Sequence, residues 1–304
     1  MKKLLPAVLM VVLAWSGTSC SQIPVGPTGT PHPATPTQAP PPSPSPTRAP
    51  TSTPRPTPLP PEPQTITFTT EDGVELSGLY YPADRPSAPV LVFMHWYPGD
   101  QSSWTEIARW LQNRGGPGPG GDVPWRDPAW YPELEKDRSY AVFTFTFRGC
   151  EGGCQEARHQ EWRLDARAGA AQAAQLPGVD PERMVVLGAS IGADGAAVGC
   201  AAYPDICRGA FSLSPGNYLG NDYQAEMQSL GSARNPRPVW CLYDRNDHTA
   251  DLCRELEGEH FTTQSYSNGY LHGMHMLNPD LAPNPLELML EFLEEALAEP
   301  VSGE

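Results

Sequence analysis

Apolar and polar positions alternate along residues 65–70 and again along 74–81, with Glu71-Asp72-Gly73 between them. A period of two marks half-buried strands, so these stretches predict a hairpin. Further along, apolar-rich runs at 90–94, 140–147, 184–189, 209–213 and 239–243 replace the alternation, with a weaker one at 261–266. Such runs are expected of strands covered on both faces. Between them the spacing becomes helical. Trp104, Ile107, Ala108 and Leu111 share one face of a helix over 103–113. An Ala-rich segment predicts another over 163–176, small residues a third over 193–203, and an amphipathic pattern a last one over 286–297. Strands alternating with helices predict an α/β fold, a mostly parallel central sheet with helices on both faces and the hairpin as its antiparallel edge. Residues 115–132 are rich in Gly, Pro and Trp and read as an irregular surface excursion, and no internal repeat is visible.

The regular patterning begins only at Gln64. Residues 1–20 combine Lys2-Lys3, an apolar core and the small residues before Cys20, the layout of a secretory signal peptide. The apolar core is too short to span a bilayer comfortably. Cys20 after small residues is similar to a bacterial lipoprotein signal, with Gly17 at a position where those signals carry an aliphatic residue. That likeness implies lipidation at Cys20 and a cell-membrane lipoprotein outside the cytoplasm; ordinary secretion is the alternative. In the stretch 21–63, 17 of the 41 residues from Ile23 onward are proline. This composition cannot bury a core and predicts an extended tether, with a reach on the order of 100 Å at about 3.1 Å per residue. Residues 64–298 then form one globular domain, and 299–304 a short tail.

From Gln64 onward there are 34 acidic against 16 basic residues. That balance argues against nucleic acid and anionic membrane surfaces as partners, leaving the lipid anchor as the route to a membrane. Six cysteines remain after Cys20, and an even number in an exported chain predicts disulfides. Their sequence couples suggest Cys150–Cys154, Cys200–Cys207 and Cys241–Cys253. No couple carries a His at ligand spacing, so no metal site is expected, and no organic cofactor is implied.

The most informative short segment is Gly188-Ala189-Ser190-Ile191-Gly192. The five-residue string alone arises by chance, so its context must carry the reading. Here a strand precedes it and a helix follows, which makes a nucleophile elbow with Ser190 at a sharp turn. A serine hydroxyl needs a base to take its proton and an acid to orient that base. Asp244, Asp247 and Asp251 follow the strand at 239–243, and His272 and His275 follow the next one. All of them fit the chain order Ser, acid, His.

Asp72-Gly73-Val74-Glu75-Leu76-Ser77-Gly78, Phe147-Arg148-Gly149-Cys150-Glu151-Gly152-Gly153 and the elbow together resemble the α/β-hydrolase superfamily. The closest branch is the dienelactone-hydrolase-like and serine-esterase-like one, and Leu213-Ser214-Pro215-Gly216 adds to the likeness. The resemblance implies an acid three residues beyond a glycine at the end of its strand; Asp244-Arg245-Asn246-Asp247 has that spacing, with Asp244 standing in place of the glycine, which favours Asp247, with Asp244 as runner-up. It also implies a histidine before glycine, which selects His272 in His272-Gly273, while His275 packs or caps. The oxyanion hole would combine the N–H of Ile191 with one from the loop after 90–94. There His95-Trp96-Tyr97 replaces the His-Gly usual in the family, so Tyr97 is favoured as donor and Trp96 comes second. His95 reads as structural. Trp96 and Tyr97 are the expected substrate contacts, and Trp104, Trp125 and Trp130 crowd the same region. The implied function is a serine hydrolase acting on a small-molecule carboxylic ester. A peptidase or amidase on the same triad and a non-catalytic binding lipoprotein are the competing readings.

Overall fold

The computed structural model describes residues 57–115, 118–233 and 235–298. Eight strands form one sheet in the order β1-β2-β4-β3-β5-β6-β7-β8. β1 (Gln64–Thr69) and β2 (Glu75–Tyr81) pair antiparallel across a turn in which Gly73 has φ +83°, and β2 pairs antiparallel with β4 (Ala141–Phe145). β3 (Ala88–Met94), β4, β5 (Val179–Ala189), β6 (Cys207–Leu213), β7 (Val239–Asp244) and β8 (Phe261–Tyr266) run parallel. The mostly parallel sheet with an antiparallel hairpin edge is the one the patterning predicts.

The continuous apolar runs feed two cores at once. In β3, Val90, Val92 and Met94 face one core and Leu91 and Phe93 the other. α2 (His159–Ala173), α3 (Ile191–Ala202) and α4 (Tyr223–Gly231) cover the first face through Trp162, Ala166, Ala197 and Met227. α1 (Thr105–Gln112) and α6 (Pro285–Leu297) cover the second through Ile107, Leu111, Met289 and Phe292. Fully burying a side chain the size of Ile107, Leu111, Met227, Met289 or Phe292 contributes about 1.5–3 kcal/mol before entropy is counted.

The boundaries shift in places for local reasons. A 3-10 turn at Gln101–Trp104, capped by the Asp100 carboxylate, precedes α1 and takes its first residues. α2 starts at His159, a turn before the Ala-rich pattern, and β5 extends back to Val179. Within the excursion, Pro124–Arg126 and Pro128–Trp130 are 3-10 turns, each with a proline at its start. α4 and the five-residue α5 (Ala250–Arg254) carry too little periodicity to be read from sequence.

Three disulfides join Cys150 to Cys154, Cys200 to Cys207 and Cys241 to Cys253, the pairing expected from the sequence couples. Cys253 lies inside α5. Residues just before β1 lie against the domain: the Leu59 carbonyl accepts from Arg114 Nη1 at 2.7 Å and the Pro61 carbonyl from Gln112 Nε2 at 2.8 Å. The signal segment, Cys20 and the tether up to residue 56 lie outside the described residues. Among the described residues no helix is long and apolar enough to cross a membrane.

Candidate active site

Ser190 sits where β5 turns into α3, with φ +54° and ψ −116°. A non-glycine residue held there costs about 1–3 kcal/mol, which the surrounding structure must supply. The turn is locked by the Ser190 N–H donating to the Leu213 carbonyl at 2.8 Å. It also needs its two glycines. A Cβ at Gly188 would collide with the Gly192 carbonyl, and one at Gly192 with the carbonyls of Met94 and His95.

Two loops at the carboxyl ends of the strands bring the other groups to this point. His272 Nε2 lies 2.8 Å from Ser190 Oγ, and His272 Nδ1 lies 2.7 Å from Asp247 Oδ2. Ser190 and Asp247 are buried, and His272 is part-buried. Burial alone pushes the Asp247 carboxyl up, but the His272 hydrogen bond and the neighbouring Thr249 N–H hold it below its ordinary value. The residue after His272 also has a steric reason. Gly273 has φ +57°, and a Cβ on it would press on the Trp96 ring and on Ser190.

Asp244, the runner-up acid, is placed differently. Its buried carboxylate accepts from the Asn246 N–H at 2.8 Å and from the Asn268 N–H at 3.0 Å. It ties the turn after β7 to the loop after β8 and makes no hydrogen bond to His272. Asp251 is exposed and pairs with Arg254. His275 lies between the rings of Trp96 and Trp125, 5.1 Å from each, and burial holds its imidazole below the ordinary value.

The loop after β3 is built around His95. This fully buried ring accepts from the Phe147 N–H at Nε2, 3.0 Å away, so the proton on Nδ1 is donated to the Trp96 carbonyl at 2.8 Å. Burial pushes the imidazole down to about 4, so it stays neutral. The Trp96 carbonyl also accepts from the Gly99 N–H at 3.1 Å. A planar trans peptide directs its N–H opposite to its C=O. Fixing the Trp96 carbonyl therefore fixes the direction of the Tyr97 N–H. On its other side the Tyr97 carbonyl accepts from the Cys154 N–H at 3.0 Å, so the disulfide-closed loop 150–154 braces the same segment. Among the described residues neither the Tyr97 N–H nor the Ile191 N–H has a protein acceptor.

A cleft of about 320 Å³ opens beside Ser190. Trp96, Tyr97, Trp162, Ile191 and Tyr218 wall it, His159, His248 and His272 reach it, and among the described residues no carboxylate, lysine or arginine lines it. Trp96 and Tyr97, the substrate contacts expected from sequence, both line this cleft. Trp104, Trp125 and Trp130 are not in its wall. Trp104 is buried under the loop and donates to the Met94 carbonyl at 3.0 Å, Trp125 backs Trp96 at 5.4 Å, and Trp130 donates to the Pro124 carbonyl. Trp104 and Trp125 thus support the loop and the wall from behind.

Trp162, His159, Tyr218 and His248 are site residues that sequence patterning did not single out. Tyr218 rides on the loop after β6, which is fastened from below by Asp194, one helical turn after Ser190. The Asp194 carboxylate accepts from the Gly216 N–H at 3.0 Å and from the Tyr218 N–H. Burial pushes this carboxyl up to about 7 despite those donors. Among the described residues no group of three or more His, Cys, Asp or Glu is arranged to hold a metal ion.

No protein-family model matches the chain. A protein of Salmonella typhi, YfhR, described only as uncharacterised, is 28% identical over 216 residues, covering 62% of this chain. The match spans 65% of that relative's own length, under two thirds. Among solved structures, an esterase of Pyrococcus furiosus superposes with a TM-score of 0.56 at 16% identity, covering 78% of this chain and 92% of the esterase. An esterase of Pyrobaculum calidifontis gives 0.54 at 17% identity, covering 81% and 88%. A thermostable carboxylesterase from a metagenomic library gives 0.54 at 14%, covering 78% and 90%. This chain has the α/β-hydrolase fold. Identities this low carry the fold and leave the chemistry to the residues of the site.

Proposed function

We propose that the protein is an extracytoplasmic serine hydrolase that cleaves carboxylic esters through an acyl-enzyme. The observation that carries this reading is the unbroken hydrogen-bond chain from Asp247 through His272 to Ser190. As His272 Nε2 takes the hydroxyl proton, Ser190 Oγ attacks the ester carbonyl carbon. Asp247 holds Nδ1–H of His272 in place and stabilises the imidazolium that forms. Negative charge develops on the carbonyl oxygen, where the Ile191 and Tyr97 N–H groups would receive it; such donors are each worth about 3–4 kcal/mol. The tetrahedral intermediate collapses, the bond to the alkoxy oxygen breaks, and His272 returns its proton to the departing alcohol. Water, deprotonated by His272, then attacks the acyl carbon, and Ser190 leaves with that proton to regenerate the hydroxyl.

The cleft supports an uncharged substrate. Its volume sits at the low end of small-molecule sites, and its walls are indole, phenol and aliphatic surface with no cation to receive a carboxylate. A short acyl chain or a single aromatic ring fits that description. Three disulfides support an oxidising compartment. A lipid at Cys20 with the proline-rich tether would hold the domain off the membrane surface.

Purified protein assayed against p-nitrophenyl esters and aminoacyl-anilides tests the reading. Ester turnover that vanishes in Ser190→Ala is the expected result. Preferential anilide cleavage would move the assignment to a peptidase or amidase. A wild-type protein inert to both panels and to fluorophosphonate probes would overturn the hydrolase reading.

A further inference from the structure

Among the described residues two large apolar side chains are exposed, and both stand at the active site. Tyr97 is 36% exposed in the wall of the cleft, and Tyr270 is 56% exposed two residues before His272. Exposed rings scattered singly are ordinary, whereas rings gathered at a cleft mark a binding surface. Tyr270 is held in place. Its hydroxyl lies 2.8 Å from His248 Nδ1, which also lies 3.1 Å from Asp247 Oδ1, and His248 Nε2 meets the Tyr218 hydroxyl at 3.2 Å. The planes of the Tyr270 and His248 rings differ by 13°, with centroids 6.4 Å apart. Joined hydroxyl to nitrogen across that separation, the two rings lie end to end as one nearly flat surface. The His248 side chain is 61% exposed, so this surface is open to solvent. Beneath it the loop is fastened to the turn after β7: the Asn268 N–H donates to Asp244, and Asn246 Nδ2 donates to the Gly269 carbonyl.

The two ends of the cleft differ. At one end the Tyr97 and Trp162 rings meet edge to face with centroids 6.1 Å apart, and Trp162 is buried, so this end is closed. At the other, Tyr218 and His248 flank His272 with ring centroids 5.9 Å and 5.8 Å from it, and the Tyr270–His248 surface continues outward. His272 must pass its proton to the departing oxygen, which brings the alcohol portion within hydrogen-bond reach of Nε2 and so to the open end. The acyl group is left with the closed end. We propose that the Tyr270 and His248 rings form a subsite outside the cleft that stacks a flat aryl ring carried on the alcohol side of the ester. This rests on the hydrolase reading above. The polar edges of both rings are already engaged with Asp247, Tyr218 and each other, so what they offer a ligand is their faces. Faces suit an aryl group better than a polyhydroxylated one, which needs free donors and acceptors. Because the rings are fixed beforehand, stacking on them orders little at binding.

Benzyl acetate and methyl phenylacetate are isomers that carry the same ring on the alcohol side and on the acyl side, and their kcat/KM values test the subsite. Tyr270→Ala should lower kcat/KM on benzyl acetate about three- to tenfold relative to methyl phenylacetate, the range an aromatic pair contributes. Tyr270→Phe keeps the ring and should retain most of the wild-type discrimination. An equal fall on both isomers, or a larger one on methyl phenylacetate, would overturn the proposal. So would an effect on cyclohexylmethyl acetate as large as that on benzyl acetate, since its puckered ring cannot stack flat. Binding gives a readout without turnover. In Ser190→Ala protein, the Kd for benzyl acetate from an NMR chemical-shift titration should rise by the same factor when Tyr270→Ala is added; an unchanged Kd overturns the subsite. The two readings fail separately. Wild-type protein that cleaves neither isomer and resists a fluorophosphonate probe defeats the hydrolase reading, and the Kd comparison still judges the subsite. Esters cleaved only with Ser190 intact, with both isomers falling together in Tyr270→Ala, defeat the subsite alone.

Discussion

The two ends of the sheet each carry a cleft, and the larger one is at the wrong end for chemistry. At the amino ends of the parallel strands a cleft of about 390 Å³ is lined by Arg85, Arg138, Arg183, Glu135 and Glu294, with Arg138 and Glu294 paired at 2.6 Å. At the carboxyl ends the cleft is smaller, about 320 Å³, and among the described residues its wall holds no carboxylate, lysine or arginine. Yet only the second has a strained serine, a histidine in hydrogen-bond reach of it and a buried acid behind that histidine. Ligands in open α/β sheets bind outside the carboxyl ends of the strands because the loops leave there together. Size and charge do not locate this site; convergence of groups from three loops does.

The largest effect expected is at the carboxyl end. Ser190→Ala should lower kcat by on the order of 10⁴-fold or more while leaving thermal unfolding in place, since the side chain supplies chemistry and little core volume. Asp247→Asn should cost about 10⁴-fold in kcat through the wrong His272 tautomer. Steady-state assays on a p-nitrophenyl ester read both. A larger loss in Asp244→Asn than in Asp247→Asn would reverse the acid assignment.

Those two aspartates also show how much of the site is legible in sequence. Asp244 and Asp247 are three residues apart on one turn, and spacing alone leaves both as candidates. The structure separates them because Asp244 spends its oxygens on two backbone N–H groups while Asp247 turns toward His272. The strands and the elbow were legible because apolar runs and glycines are local signals. Tyr218, Trp162 and His248 were not, since each reaches the cleft through tertiary packing: a loop fastened by Asp194, a helix face, and the far side of Asp247. Trp104 and Trp125, which sequence places only in the same region, stand behind the wall for the same reason. A tryptophan near an active-site loop in sequence can stand behind the wall as readily as in it.

Smaller effects sharpen the contrast between the ends. His95 has its folded value pushed down to about 4 from an unfolded 6.5. The unfolded chain therefore binds the proton first, so stability is fully present above about 6.5 and is lost as pH falls toward 4, by about 3 kcal/mol in all. Urea titrations across that range should show the loss, and His95→Gln should flatten it. Asp244→Asn should destabilise by about 0.5–1.5 kcal/mol, because one of the two backbone N–H groups that its carboxylate holds loses its acceptor. At the amino end, Arg138→Ala should cost roughly 0–1 kcal/mol in a thermal melt, as exposed ion pairs do, with no change in kcat. A loss of turnover in that variant would mean that the arginine-lined cleft takes part in catalysis.

The most direct test of the central claim is labelling of the native protein with a fluorophosphonate probe followed by peptide mass mapping. The account predicts one phosphonylated residue, Ser190, with labelling abolished in Ser190→Ala and strongly slowed in His272→Ala. Labelling at another serine, or none in folded protein with its three disulfides intact, would contradict it.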